Sequence, residues 1–267
     1  MHASLPALAF AFALGAAPTV ASPQATPATA TPSQVDPAAA SAPTNPVSPD
    51  AVQALHRMGA YLGTLVSFEI TAETSRELML GADQKFDLDG VATYRVRRPN
   101  ALFVENTTPR KQRRFIYDGQ HFTVYAPSRS YYATVDAPPT IGELLNLAAE
   151  RYGVELPLED LFHWGDPANL PQNLEFAAHV GTAMINGVQT DQYIFRQPEM
   201  DWQIWIQQGS EPLPRKIAII DRTDPTLPKF SATLDWNLSP TFDARTFAFA
   251  PDADDKAIQF REAQEAQ

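Results

Sequence analysis

Two hydrophobic rhythms divide the chain beyond Pro49. Val52, Leu55, Met58 and Leu62 recur at intervals of three and four behind Ser48-Pro49-Asp50. A serine cap, a proline in the first turn and an acid beside it suit a helix start, so one amphipathic helix is predicted to about Gly63. The period then drops to two. Phe68, Ile70 and Ala72 alternate with Glu69, Thr71 and Glu73; Phe86 and Leu88 alternate with Lys85, Asp87 and Asp89. Tyr94 and Val96 alternate with Thr93, Arg95 and Arg97, and segments at 102–106, 114–117, 122–125 and 131–135 extend the series. Asp89-Gly90, Pro99-Asn100, Asp118-Gly119 and Ala126-Pro127-Ser128 are the turn signals between them. Such short links predict an antiparallel meander.

The middle of the chain breaks the alternation. Thr140 caps a helical stretch carrying Ile141, Leu144, Leu145, Leu147 and Ala148 that ends near Tyr152-Gly153, and a second short helix is predicted from Leu158 to about Trp164. Strands resume at 174–180, 189–196, 202–207, 215–221 and 230–236, with Asn186-Gly187 as the strongest hairpin signal. Phe230, Ala232, Leu234 and Trp236 share one face, as do Trp202, Ile204 and Ile206. A long sheet that is apolar on one side must close on itself or be covered by helices. One N-terminal helix and one central pair are the available cover. The expected class is therefore α+β: a strongly curved antiparallel half-barrel with helices over its concave face.

The first 49 residues read differently. Leu5 to Ala17 is an apolar run of signal-peptide length, followed by small residues that permit cleavage after Ala21 or Ser22. From Pro23 onward Ala, Thr, Pro and Ser dominate, a composition that buries too little apolar area to offset ordering entropy. The expected organisation is a signal peptide at 1–22, a disordered linker at 23–48, the folded domain at 49–260 and a disordered tail at 261–267.

Composition narrows the function classes. Among 267 residues, 31 acids against 20 bases give a net charge of −11, which repels phosphate backbones and disfavours nucleic acid. Only Asp36 among the first 49 residues is charged, so the acidity belongs to the domain. Nine of the 24 prolines precede Asp50, which assigns much of the proline excess to the linker. The absence of cysteine excludes disulfides, thiolate metal sites and an acylated anchor.

Particular runs resemble a known family. Tyr117-Asp118-Gly119-Gln120, Tyr131-Tyr132-Ala133-Thr134-Val135, 149–158, Asp201-Trp202-Gln203-Ile204-Trp205-Ile206, Leu213-Pro214-Arg215-Lys216 and the tail Phe247-Ala248-Phe249-Ala250-Pro251 look like predicted periplasmic proteins of a domain-of-unknown-function family. That family is similar in turn to the LolA/LolB lipoprotein carriers and the LppX/LprG lipid-binding proteins. The resemblance implies a LolA-like half-open barrel plugged by helices, a periplasmic location and a lipid or lipoprotein acyl chain as ligand. The same superfamily includes a regulator that binds an anti-sigma factor, so an envelope protein partner is the alternative expectation. No locking residue carries over.

Catalysis finds little support in the residues. His56, His121, His163 and His179 follow no metal-ligand spacing, and no nucleophile elbow, P-loop or dinucleotide fingerprint is present. Asp87-Leu88-Asp89-Gly90 imitates the start of a calcium loop without its later ligands, and a β-turn is expected there. No catalytic residue, metal or cofactor is therefore expected. Phe68, Phe86, Tyr94, Phe115, Tyr117, Phe122, Tyr193, Phe195, Trp202, Ile204 and Ile206 have inward parity and are the candidate ligand-lining set. Ile141, Leu144, Leu145, Leu161, Phe162 and Trp164 are the candidate lid residues. Lys111, Arg113 and Arg114 form a candidate basic docking patch at a hairpin. The expected protein is an exported monomer without a permanent membrane anchor.

Overall fold

The computed structural model describes residues 46–81, 84–154, 156–243 and 245–262; the expected signal peptide, nearly all of the linker and residues 263–267 lie outside them. Helix α1 (Pro49–Thr64) opens the described chain with Pro49 in its first turn, and its Ala51, Ala54, Leu55, Met58 and Leu62 are buried. A meander follows: β1 (Ser67–Leu80), β2 (Gln84–Arg97), β3 (Ala101–Thr108), β4 (Lys111–Tyr117), β5 (His121–Ala126) and β6 (Tyr131–Asp136). Helices α2 (Ile141–Tyr152) and α3 (Asp160–His163) interrupt it. The Thr140 hydroxyl accepts from the Glu143 amide at the start of α2, and Gly153 ends it at φ +60° in the left-handed region.

A second meander then forms from β7 (Phe176–Ile185), β8 (Val188–Arg196), β9 (Met200–Gln207), β10 (Pro214–Asp221) and β11 (Lys229–Asn237). The Asn186-Gly187 hairpin forms as expected, with both residues at positive φ (46° and 77°), as a two-residue turn of this kind demands. Strand β11 pairs beside β1, so the two meanders run outward in opposite directions from that junction. With β12 (Lys256–Ala257), the described residues form one twelve-stranded sheet in the order β12-β6-β5-β4-β3-β2-β1-β11-β10-β9-β8-β7. The sheet is curved and unclosed, antiparallel except at β12, and the fold is α+β.

Register carries one face continuously across the sheet. Phe122, Tyr117, Leu102, Val96, Phe68 and, further along, Ile70, Trp236 and Leu234 lie in paired inward rows, and all three helices pack their apolar sides against this face. Both edges are partly covered. The C-terminal segment wraps the β6 edge: Phe249 rests on Tyr125 and Tyr132 of the outer face, β12 pairs with β6, and Phe260 returns to Phe122 on the inner face. At the other edge Ser48 donates to the Ala177 carbonyl, and Ala177 donates to Pro46. Such covers limit edge-to-edge association. Among the described residues no helix is long and apolar enough to cross a membrane.

One expected turn is a strand. Asp87-Leu88-Asp89-Gly90 lies inside β2, paired with 74–77 of β1, and the chain reverses instead between Leu80 and Gln84. Gly90 is extended, and its lack of a side chain answers a close approach: a Cβ there would sit 2.8 Å from the Thr107 carbonyl oxygen. The second helix is also shorter than expected, a single turn at α3. Both β1 and β2 reach 14 residues, and the ends of the pair around Leu80 and Gln84 are less buried than the rest.

Candidate functional site

After α2 the chain from Leu156 to Leu170 crosses the inner face of the sheet as a lid. Three contacts locate it. The Tyr94 phenol of β2 donates to the Pro157 carbonyl. The Phe162 ring stacks on Phe68 and tilts against Tyr94. The Trp164 ring stacks on Trp202 at 5.9 Å, and Trp202 in turn stacks on Phe195 at 4.3 Å. Leu158 turns the chain into α3 with φ +61°. Gly59 and Gly63 of α1 let the helix approach Trp164 and Gly165 backbone to backbone.

Between this lid and the sheet lies a cavity of about 390 Å³. Leu158, Leu161 and Trp164 line it from the lid. Met200 and Trp202 of β9, Ile217 and Ile219 of β10, and Phe230 of β11 line it from the sheet. Arg76, Asp160, Asn169 and Gln197 supply its polar groups. Gln197 is held by the Trp202 indole, which donates to its Oε1 at 3.0 Å. A second groove of about 410 Å³ shares Arg76, Ile219 and Phe230 and continues past Leu78, Met79 and Pro228 toward the less buried end of β1. The inner cavity is mostly apolar with a few polar groups, the usual make-up of a small-molecule site, whereas the outer groove is also lined by Glu77, Asp221, Asp224, Thr226 and Lys229.

The electrostatics are uneven. Protein atoms crowding Asp160 push its carboxyl above the usual range, and His163 opposes that shift. The Arg76 guanidinium lies 6.0 Å above the Phe230 ring. The Tyr94 phenol is pushed up by burial, with Glu159 adding to it.

The candidate residues separate into distinct environments. Trp202, Leu161 and Trp164 line the cavity. Phe68, Tyr94 and Phe162 pack on one another beside it, and Phe195 and Tyr193 back Trp202 from β8. Ile204 and Ile206 are buried in the same core. Phe115 and Phe122 stack at the far side of the sheet beneath Phe260, and the Tyr117 phenol donates to Pro138. Ile141, Leu144 and Leu145 bury α2 without reaching the cavity. Phe86 stands on the less buried end of β2 under the Arg110 guanidinium. Strand alternation sends Arg113 and Arg114 to opposite faces, and Arg114 pairs with Glu105 at 2.6 Å while Lys111 opens β4 opposite Thr108.

Sequence reasoning missed Arg76, Ile217, Ile219 and Met200. A signal existed for Arg76, a cation four residues beyond Ala72 and therefore of inward parity on an apolar face.

Two histidines meet carboxylates. His179 Nε2 is 3.2 Å from Asp191, and His121 Nδ1 is 3.4 Å from Asp118 beside a cavity of about 130 Å³ that also touches Thr123. The Asp118 carboxyl is held low: its burial is outweighed by amide donors from His121 and Gln120. The Thr123 hydroxyl bonds Thr134, and no hydrogen bond joins it to the imidazole, so the pair lacks an activated nucleophile. Among the described residues no group of three or more histidines and carboxylates is arranged to hold a metal.

No curated protein sequence matches the chain. Among solved structures, the chain is similar to the lipoprotein LppX of Mycobacterium tuberculosis, at 15% identity over 73% of this chain and 99% of that one, with a TM-score of 0.45. LprF of Mycobacterium bovis follows at 13% identity, 74% and 97% coverage and a TM-score of 0.43. A LolA superfamily protein of Nitrosomonas europaea gives 11% identity, 74% and 97% coverage and a TM-score of 0.36. Residues 51–261 match the model of a family described as predicted periplasmic protein. The chain belongs to that family, DUF2092.

Proposed function

We propose that this protein binds a hydrophobic or amphiphilic molecule, a lipid or a protein-attached acyl chain, non-covalently in the cleft beneath the Leu156–Leu170 lid. The observation that carries this reading is the cavity of about 390 Å³ walled by Leu158, Leu161, Trp164, Trp202, Ile217, Ile219 and Phe230. An apolar hollow of that size falls in the range of ligand pockets. Each methylene transferred from water into it contributes about 0.8 kcal/mol. The lid contains only two short helical turns, Asp160–His163 and Pro167–Asn169, and its movement is the route of entry. An export signal at 1–22 and a linker at 23–48 deliver the domain to the envelope as a monomer.

Native mass spectrometry after mild purification tests the reading. Co-purified lipid that is lost in Ile219→Glu, a half-buried cleft position, is the expected result. Ligand retained in that variant would move the site elsewhere. A protein that arrives empty but holds a specific envelope partner would favour the interaction module instead.

A further inference from the structure

The geometry points to Arg76 as the selector of a single-chain amphiphile with an anionic head, its chain beneath Trp164 and its head on the guanidinium. This rests on the cleft reading above and sharpens it. Arg76 faces Phe230 and Leu88 across its two neighbouring strands, so it occupies the inward row that is apolar at Phe68, Ile70 and Ala72. Three other arginines of the sheet are ion-paired, Arg95 with Glu69, Arg114 with Glu105 and Arg196 with Asp201, whereas Arg215 bonds the Gln207 amide. Arg76 has no carboxylate within ion-pair distance among the described residues. Its guanidinium stands over Phe230 where the inner cavity and the outer groove meet.

The acids of the outer groove bond groups other than Arg76, and Asp221 and Asp224 stay charged there, so the anionic head belongs on the inner-cavity side of the guanidinium. Glu77 pairs with Lys85. Asp221 accepts from the Thr223 amide and hydroxyl, and Asp224 accepts likewise from Thr226. Asp160 faces the cavity from the lid, but the protein around it disfavours its charged form. A carboxylate or sulfate head would there meet an exposed guanidinium that has no carboxylate partner among the described residues, and would replace its water with charge-assisted hydrogen bonds. The chain length follows from the volume. About 390 Å³ holds about a dozen water-sized groups at ~30 Å³ each, which is one chain rather than three.

Tryptophan fluorescence from Trp164 and Trp202 reports on the cleft when the full chain is titrated with laurate, 1-dodecanol, dodecyltrimethylammonium or acetate below any micelle concentration. Laurate should bind at least about tenfold more tightly than dodecanol, from the worth of a charged hydrogen bond. The cationic amphiphile should bind more weakly still, and acetate should not compete. In Arg76→Gln, laurate should lose its advantage over dodecanol. Equal affinity of the intact protein for laurate and dodecanol would overturn the role of Arg76 and leave the cleft standing. Acetate competing as well as laurate would mark a site for free anions and overturn the amphiphile. A folded protein that binds neither dodecanol nor laurate would overturn the cleft itself. Loss of both ligands in Arg76→Gln would reduce Arg76 to shaping the wall.

Discussion

Tyr94 and Pro157 join the floor of the sheet to its lid through one hydrogen bond from the phenol to the proline carbonyl. Tyr94 is 1% exposed, so its hydroxyl has no water to fall back on, and burial raises its pKa as expected for a phenol kept neutral. Tyr117 makes the matching tie to Pro138 ahead of α2, with its phenol pushed up to about 12 by burial, Glu143 and Asp118. Tyrosines of the sheet thus fix the chain on both sides of α2.

Tyr94→Phe should lower stability by about 1 kcal/mol, the net worth of a typical hydrogen bond. Urea unfolding measures that loss. Amide exchange should accelerate in the lid, 156–164, more than in β2, because the fold keeps its other contacts while the lid loses its tie.

Gly59→Ala should destabilise the protein although alanine favours a helix over glycine by about 1 kcal/mol. A Cβ at this position would collide with the Trp164 carbonyl oxygen, and overpacking of this kind costs about 1–3 kcal/mol. Gly63→Ala should be milder, since its Cβ would lie 3.0 Å from the Gly165 carbonyl oxygen. Thermal unfolding of the two variants gives the comparison.

Asp160→Asn should stabilise the protein at neutral pH and lose that advantage in acid. The folded-state pKa of Asp160 is raised, mainly because surrounding protein atoms partly desolvate the carboxyl, so the folded chain holds the proton more tightly than the unfolded chain does. Stability contributed by this residue then falls as pH climbs from the unfolded value of about 3.9 through the raised folded value. Below about 3.9 both states are protonated and the variant should match the parent. Urea midpoints across pH 3 to 8 test the sign; an advantage that grows in acid would contradict it.

Arg98→Met should raise stability by about 1–3 kcal/mol, the cost of polar groups buried without partners. Nε and Nη2 of Arg98 are buried without a hydrogen-bond partner among the described residues, and burial lowers the pKa of the guanidinium. Methionine retains the length of the apolar stem. Denaturant unfolding of the variant decides it, and a clear loss would mean that the stem or the remaining nitrogen holds the site together.

Much of this molecule is written in local periodicity. The helical spacing from Val52 to Leu62, the alternation from Phe68 to Trp236, the Thr140 cap and the Asn186-Gly187 turn each act within a few residues, and each produces the expected element. One-sided alternation also required helical cover, and so a curved α+β sheet with helices over one face was legible before any coordinates. The cleft was not. Inward parity selected eleven lining candidates alike, yet Phe68 and Tyr94 are sealed by Phe162 while Trp202 borders open space. That distinction depends on where a lid of two short helical turns comes to rest, which is set by the Tyr94–Pro157 tie across 63 positions and by the close approach of Gly59 to Trp164. Asp89-Gly90 teaches the same lesson: its turn composition yields to pairing with β1 and to the nearness of Thr107. Short-range patterning determines which face is apolar; long-range packing decides which part of that face is filled and which is left for a ligand.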